Sequence, residues 1–177
     1  FVAEFLRYLD TLVQICRPTD TLFIAVDGCA PSAKNVQQRS RRFKAAQEMH
    51  EGSFDRCNFT PGTAFMDEIN DRLMEFIKEK KQTDEAWRAP KVIYSSSFVP
   101  GEGEHKILDY IRSCRSQPEW NVNTSHILYS TDADLIFLGL RTHEPYFTIL
   151  READSSDYQR PHEKFESSAP KSKWTTD

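Results

Sequence analysis

Apolar residues recur along this chain with two periods, and the switches between them mark out its elements. Phe1, Phe5, Leu6, Leu9, Leu12, Val13 and Cys16 share one helical face until Pro18 stops the run, which predicts a packing helix. Residues 22–26 are almost continuously apolar, as in a strand covered on both faces. A second helix is predicted over 34–50, with Val36 and Phe43 seven apart and placed to anchor it to the core. Turn residues including Pro61 and Gly62 read as a loop, and from Thr63 a third helix lines up Phe65, Met66, Ile69, Leu73, Phe76 and Ile77. Residues 78–90 are polar, with Trp87 read either as a core lid or as an exposed stacking aromatic.

The second half repeats the alternation. Residues 91–98 read as a strand, and Ile107, Leu108, Tyr110 and Ile111 as an amphipathic helix. Residues 126–130 read as another buried strand, 135–140 as a short apolar helix and 146–150 as a fourth strand. Four strands alternating with helices predict an α/β protein with a mainly parallel sheet flanked by helices. From Glu152 onward the composition turns polar, and residues 153–177 read as a linker or tail following a folded part that spans 1–152.

Composition narrows the class without naming a function. With 177 residues, 38% hydrophobic and 12% aromatic, the chain holds enough apolar surface for one real core. No apolar run approaches a membrane span, and the first residues lack the architecture of a signal peptide, so an intracellular protein without a membrane is expected, in cytoplasm or nucleus. The chain opens without a methionine inside an amphipathic pattern, as a piece of something longer would. Cys16, Cys29, Cys57 and Cys114 form no C-x-x-C pair and no zinc spacing. The net charge of −4 exerts no global pull on nucleic acid, so any anion seat must be local.

Two local patterns carry chemistry. Glu102 and Glu104 sit between glycines on a strand-to-helix turn, where Gly101 and Gly103 allow backbone angles closed to other residues. Asp27 follows the first strand, and Asp132 and Asp134 follow the third. Singly, each acid has a plain alternative as a turn, cap or helix-start residue. Jointly, five acids at the carboxyl ends of parallel strands would repel one another without a cation, which points to a hard divalent ion. Two such ions can activate water and stabilise the leaving oxygen of a phosphodiester. Seven residues after Asp27 begins the second pattern: Lys34, Gln38, Arg41 and Arg42 fall within one arc of a helix, either a solvated basic face or a seat for phosphate. His105, in the first turn of its helix, reads as a proton shuttle, a phosphate contact or a hydrogen-bonding residue.

In this order, the blocks from Ala25 through Asp27, Lys34, Gln38, Arg41 and Arg42 to Phe43, from Thr60 to Thr63, from Val99 through Glu102 and Glu104 to Lys106, from Asp132 through Asp134 to Ile136, and from Leu150 to Glu152 resemble those of the XRN family of 5'-to-3' exoribonucleases. The resemblance covers roughly residues 1–152. It implies a PIN/5'-nuclease-like fold and a magnesium-dependent enzyme, with two ions and manganese as a substitute, that removes nucleotides from single-stranded RNA bearing a 5' monophosphate. RNA decay or RNA processing would be the setting. By resemblance, Asp27, Glu102, Glu104, Asp132 and Asp134 are metal-binding catalytic acids, and Lys34, Gln38, Arg41 and Arg42 hold the terminal phosphate. It also implies that further ligands and the base-stacking aromatics lie outside these residues, so the chain by itself is expected to be an incomplete site. A structure-specific nuclease of the wider 5'-nuclease group and a non-catalytic RNA-binding paralogue are the competing readings. The basic stripe argues against the first, and the presence of all five acids against the second.

Overall fold

The computed structural model describes residues 1–47, 55–130 and 134–152, which fall into two compact units, Phe1–Val122 and Asn123 onward. In the first unit, α1 (Val2–Cys16) ends where Arg17 turns left-handed, its N–H donating to Val13 O just before Pro18. Strand β1 (Thr21–Ala25) pairs in parallel with β2 (Lys91–Ser95), in register from Thr21↔Lys91 to Ala25↔Ser95. A parallel pair needs a crossover. Here it comprises α2 (Ser32–Gln47), a short 3-10 turn (Arg56–Phe59), α3 (Ala64–Thr83) and α4 (Glu85–Arg88). After β2 comes α5 (Gly103–Arg115), whose Tyr110 ring packs on Phe23 of β1 with centroids 4.9 Å apart.

The core of this unit joins Val13 of α1, Ile24 of β1, Leu73 of α3 and Trp87 of α4. Thr63 starts α3 by accepting the Met66 N–H, and the stripe of Met66, Ile69 and Leu73 is buried as its spacing requires. Trp87 is fully buried, edge-on to Phe76 at 5.5 Å, and its Nε1–H donates to Asp10 Oδ1 at 2.9 Å, so it is core and not a stacking platform. Burial pushes the Asp10 carboxyl up, but hydrogen bonds from Lys80 and Trp87 outweigh it and hold the group below its ordinary range.

One expectation fails. Val36 and Phe43 do not anchor α2: they are 70% and 68% exposed, and α2 has no buried residue along its length. Two apolar side chains seven apart, with Arg39 and Ser40 between them, form too narrow a strip to bury a helix face.

The second unit is a βαβ element. Strands β3 (Ser125–Tyr129) and β4 (Tyr146–Leu150) pair in parallel from Ser125↔Tyr146 to Tyr129↔Leu150, and α6 (Asp134–Thr142) connects them. Gly139 lets α6 lie against the Phe147 ring, where a Cβ would come within 2.9 Å of it. The α/β class and parallel pairing thus hold in both units. Among the described residues no helix is long and apolar enough to cross a membrane.

Candidate active site

Because β1 and β2 are parallel, their chains leave the sheet on the same side, into 26–31 and 96–102. The two exits are laced together. Val26 N–H donates to Ser95 O, Gly28 N–H to Gly101 O and Gly101 N–H to Cys29 O, each at 2.9 Å. Gly28 has no room for a side chain, since a Cβ would sit 1.9 Å from Val99 O. Gly101 has φ 106, the conformation glycine was expected to supply here. Gly103 is the exception to that expectation. It is helical, and what it supplies is space, since a Cβ would lie 3.3 Å from both Ala25 O and Asp27 Oδ1.

Two further side chains hold this edge from beneath. Lys106 Nζ donates to Val26 O at 2.8 Å and to Ser96 O at 2.9 Å. Asn70, buried in the middle of α3, donates to Ser97 Oγ at 2.6 Å and accepts from Ser97 N–H at 3.4 Å and from the Tyr94 hydroxyl. Burial, with the negative charge of Asp71 adding to it, pushes the Tyr94 hydroxyl up to about 12. The hydroxyl therefore stays protonated as a donor.

The acids are arranged around this frame. Asp27 Oδ1 accepts the Gly103 N–H at 2.6 Å, so an acid distant in sequence caps α5. Glu102 occupies the N-cap position but its side chain makes no capping bond there. Instead its Oε2 meets Lys34 Nζ at 3.1 Å, with the two side chains 16% and 36% exposed. That hydrogen bond first, and then the charge of Glu102, raise the Lys34 ammonium above its ordinary value against the opposing effect of burial. A simple helix-start acid would turn back onto its own helix. Glu102 turns outward to a cation.

Glu104 lies in the first turn of α5, with His105 Nδ1 3.7 Å from its Oε1. Glu102, Glu104 and the exposed His105 can each present one ligand atom, all within 4.8 Å of one another. Carboxylate oxygens suit a hard divalent ion such as magnesium or manganese, and the imidazole nitrogen adds a softer donor at the exposed side of the set. The donor set fits such an ion, and Lys34 already shows that this cluster recruits positive charge.

The structure therefore brings Asp27, Glu102, Glu104 and Lys34 to one edge of the first unit. Gln38, Arg41 and Arg42 continue from Lys34 along α2, with Arg42 donating to Gln38 Oε1 at 3.4 Å. Asp134 opens α6 in the second unit with an exposed side chain, and Asp132 lies outside the described residues. Sequence reasoning missed Lys106 and Asn70, and it did not place His105 among metal ligands. Asn70 left a trace, a polar residue inside a buried apolar stripe beside Ile69. Lys106 left none, because a lysine in a first helical turn looks like a solvated charge.

Comparison with known proteins bears on this arrangement. The family model described as XRN 5'-3' exonuclease N-terminus matches residues 1–153. The chain is 45% identical over 177 residues to a 5'-3' exoribonuclease 2 of Cryptococcus neoformans, covering 85% of this chain and 16% of that protein. It is 45% identical over 166 residues to a 5'-3' exoribonuclease 1 of Schizosaccharomyces pombe, covering 86% and 12%. It is also 45% identical over 179 residues to a 5'-3' exoribonuclease 2 homolog of Drosophila melanogaster, covering 86% and 20%. The chain thus spans no more than about a fifth of the length of these relatives.

Proposed function

The chain belongs to the XRN 5'-3' exonuclease family, and from that premise we propose that it forms part of the catalytic domain of a 5'-to-3' exoribonuclease, with residues 1–152 in the nuclease domain and 153–177 a polar tail. The substrate is single-stranded RNA with a 5' monophosphate, hydrolysed with release of mononucleotides. Asp27, Glu102, Glu104, Asp132 and Asp134 hold magnesium, and Lys34, Gln38, Arg41 and Arg42 hold the terminal phosphate. The observation that carries this reading is the contact between Lys34 and Glu102, which joins the acidic turn to the first residue of the basic stripe.

When bound, the metal activates water and stabilises charge on the leaving oxygen. The chain's own groups do the rest. Asp27 has one oxygen committed to Gly103 N–H, so its carboxylate is fixed in direction and the other oxygen remains for a ligand. Glu102 at the N-cap and Glu104 in the first turn stand at the amino end of α5, the positive end of its dipole. The guanidinium groups of Arg41 and Arg42 give bidentate partners for phosphate oxygens and read no base, which makes the enzyme sequence-tolerant. A seat for one phosphate also disfavours a cap or triphosphate.

The test uses the full-length protein and one RNA in two forms, 5'-monophosphorylated and 5'-hydroxyl. Magnesium should support decay of the first at a rate at least about tenfold above the second, as loss of a charged hydrogen-bonding group predicts, and chelator should stop both. Arg41→Ala should raise KM for the phosphorylated RNA and shrink that ratio. Equal rates on the two ends in the unaltered protein would remove the phosphate seat.

A further inference from the structure

We propose that Lys106 is a positioning residue for the metal site, a strut whose ammonium ties the β1 exit to the β2 exit and so sets the distance between Asp27 and the Glu102–Glu104 turn. The inference rests on the metal-ligand reading above, and it gives Lys106 a second tie between the two exits, beside the direct bond from Gly103 N–H to Asp27.

The geometry is specific. Val26 and Ser96 each lie one residue past the last register pair, Ala25↔Ser95, and neither of their carbonyls is part of the ladder. Lys106 Nζ donates to both carbonyls, at 2.8 and 2.9 Å. An ammonium has three donors, so one group can bridge two acceptors on different chains. Val26 directly precedes Asp27, and Lys106 itself sits in the first turn of α5, its N–H donating to Glu102 O at 3.1 Å. One side chain therefore fixes the residue before one acid and grows from the helical turn that carries the other two. Its stem runs beneath Gly101, where a Cβ would lie 3.8 Å from Lys106 Cγ.

Lys106 also supplies a positive charge behind the acids without competing for their ligand-facing oxygens, since both of its described bonds go to backbone carbonyls. This separates it from Lys34, which meets a carboxylate directly. Groups that orient metal ligands from behind typically matter about 10- to 100-fold in metal affinity.

The experiment measures manganese binding by calorimetry on the full-length protein without RNA, comparing Lys106→Met, Lys106→Gln, Lys106→Arg and Glu104→Gln with the unaltered protein. Lys106→Met should weaken manganese binding about 10- to 100-fold, and Lys106→Arg, which keeps the charge and can span both carbonyls, should restore it to within about threefold. Capture of 5'-phosphorylated RNA in chelator should stay within about twofold, because α2 is untouched. Lys106→Gln carries the same comparison should the methionine variant fail to fold. Unaltered manganese affinity in Lys106→Met or Lys106→Gln, with Glu104→Gln deficient, would overturn the role of Lys106 alone. Unaltered affinity in Glu104→Gln as well would overturn the metal-site reading itself. Parallel loss of manganese binding, RNA capture and melting temperature, with no rescue by arginine, would reduce Lys106 to a general structural residue.

Discussion

The turn after β2 and the helix after β1 leave neighbouring strand ends and are built in opposite ways. Residues 96–103 are held from several directions: by two backbone bonds to the 28–29 segment, by Lys106, by Asn70 through Ser97, and by Asp27 at Gly103. Helix α2 buries none of its residues, and its first basic residue, Lys34, is tied to the acid turn by one ion pair. Acids that must share a small ion need fixed directions, because coordination distances tolerate little error. On the proposed reading, the long basic side chains of α2 would reach a phosphate from an exposed helix and form their bidentate bonds only when it arrives. On the proposed function, the more heavily bonded of the two regions is the one that would hold the ion.

The sharpest way to break this contrast is to remove a ligand while leaving the basic helix intact. Glu104→Gln should lower turnover by about 10³-fold or more, with RNA capture in chelator nearly unchanged, as read by single-turnover decay and filter binding. If turnover survived, the held turn would have lost its purpose. Next comes the frame itself: Gly28→Ala forces a Cβ to within 1.9 Å of Val99 O and should cost about 3 kcal/mol in chemical denaturation. A stable Gly28→Ala protein would mean that the lacing of the two exits is slack. The smallest effect belongs to α2, where Val36→Ser and Phe43→Ser should each change stability by no more than about 0.5 kcal/mol, because neither side chain is buried. A larger loss in the full-length protein would show that this face of α2 is packed there and would narrow the contrast between the two regions.

Much of this was legible beforehand, for identifiable reasons. The Met66, Ile69 and Leu73 stripe and the strands read over 22–26 and 91–98, which form as Thr21–Ala25 and Lys91–Ser95, were legible because burial selects apolar side chains in runs and periods. The run read to Phe98 outlasts the second strand. The acid turn was legible because Gly101 and a strand-to-helix switch bracket it. The anchoring of α2 was misread because Val36 and Phe43 mimic an amphipathic strip without the width to bury one. Lys106 and the Asn70 network were invisible because their partners are backbone carbonyls and a serine far along the chain, and hydrogen bonding to such partners leaves no periodic signature.

What the amino-acid order determined by itself was the alternation of strands and helices and the types of residue, carboxylate and cationic, standing at the strand ends, since these follow from local period and chemistry. Only the tertiary structure decided which of those groups meet: that Asp27 caps a helix 76 positions away, that Glu102 turns from its own helix to Lys34, and that one lysine spans two strand exits. The reason is that parallel pairing of β1 with β2 sets the spatial neighbours of every residue at that edge, and pairing is a property of the assembled sheet that neither strand carries alone.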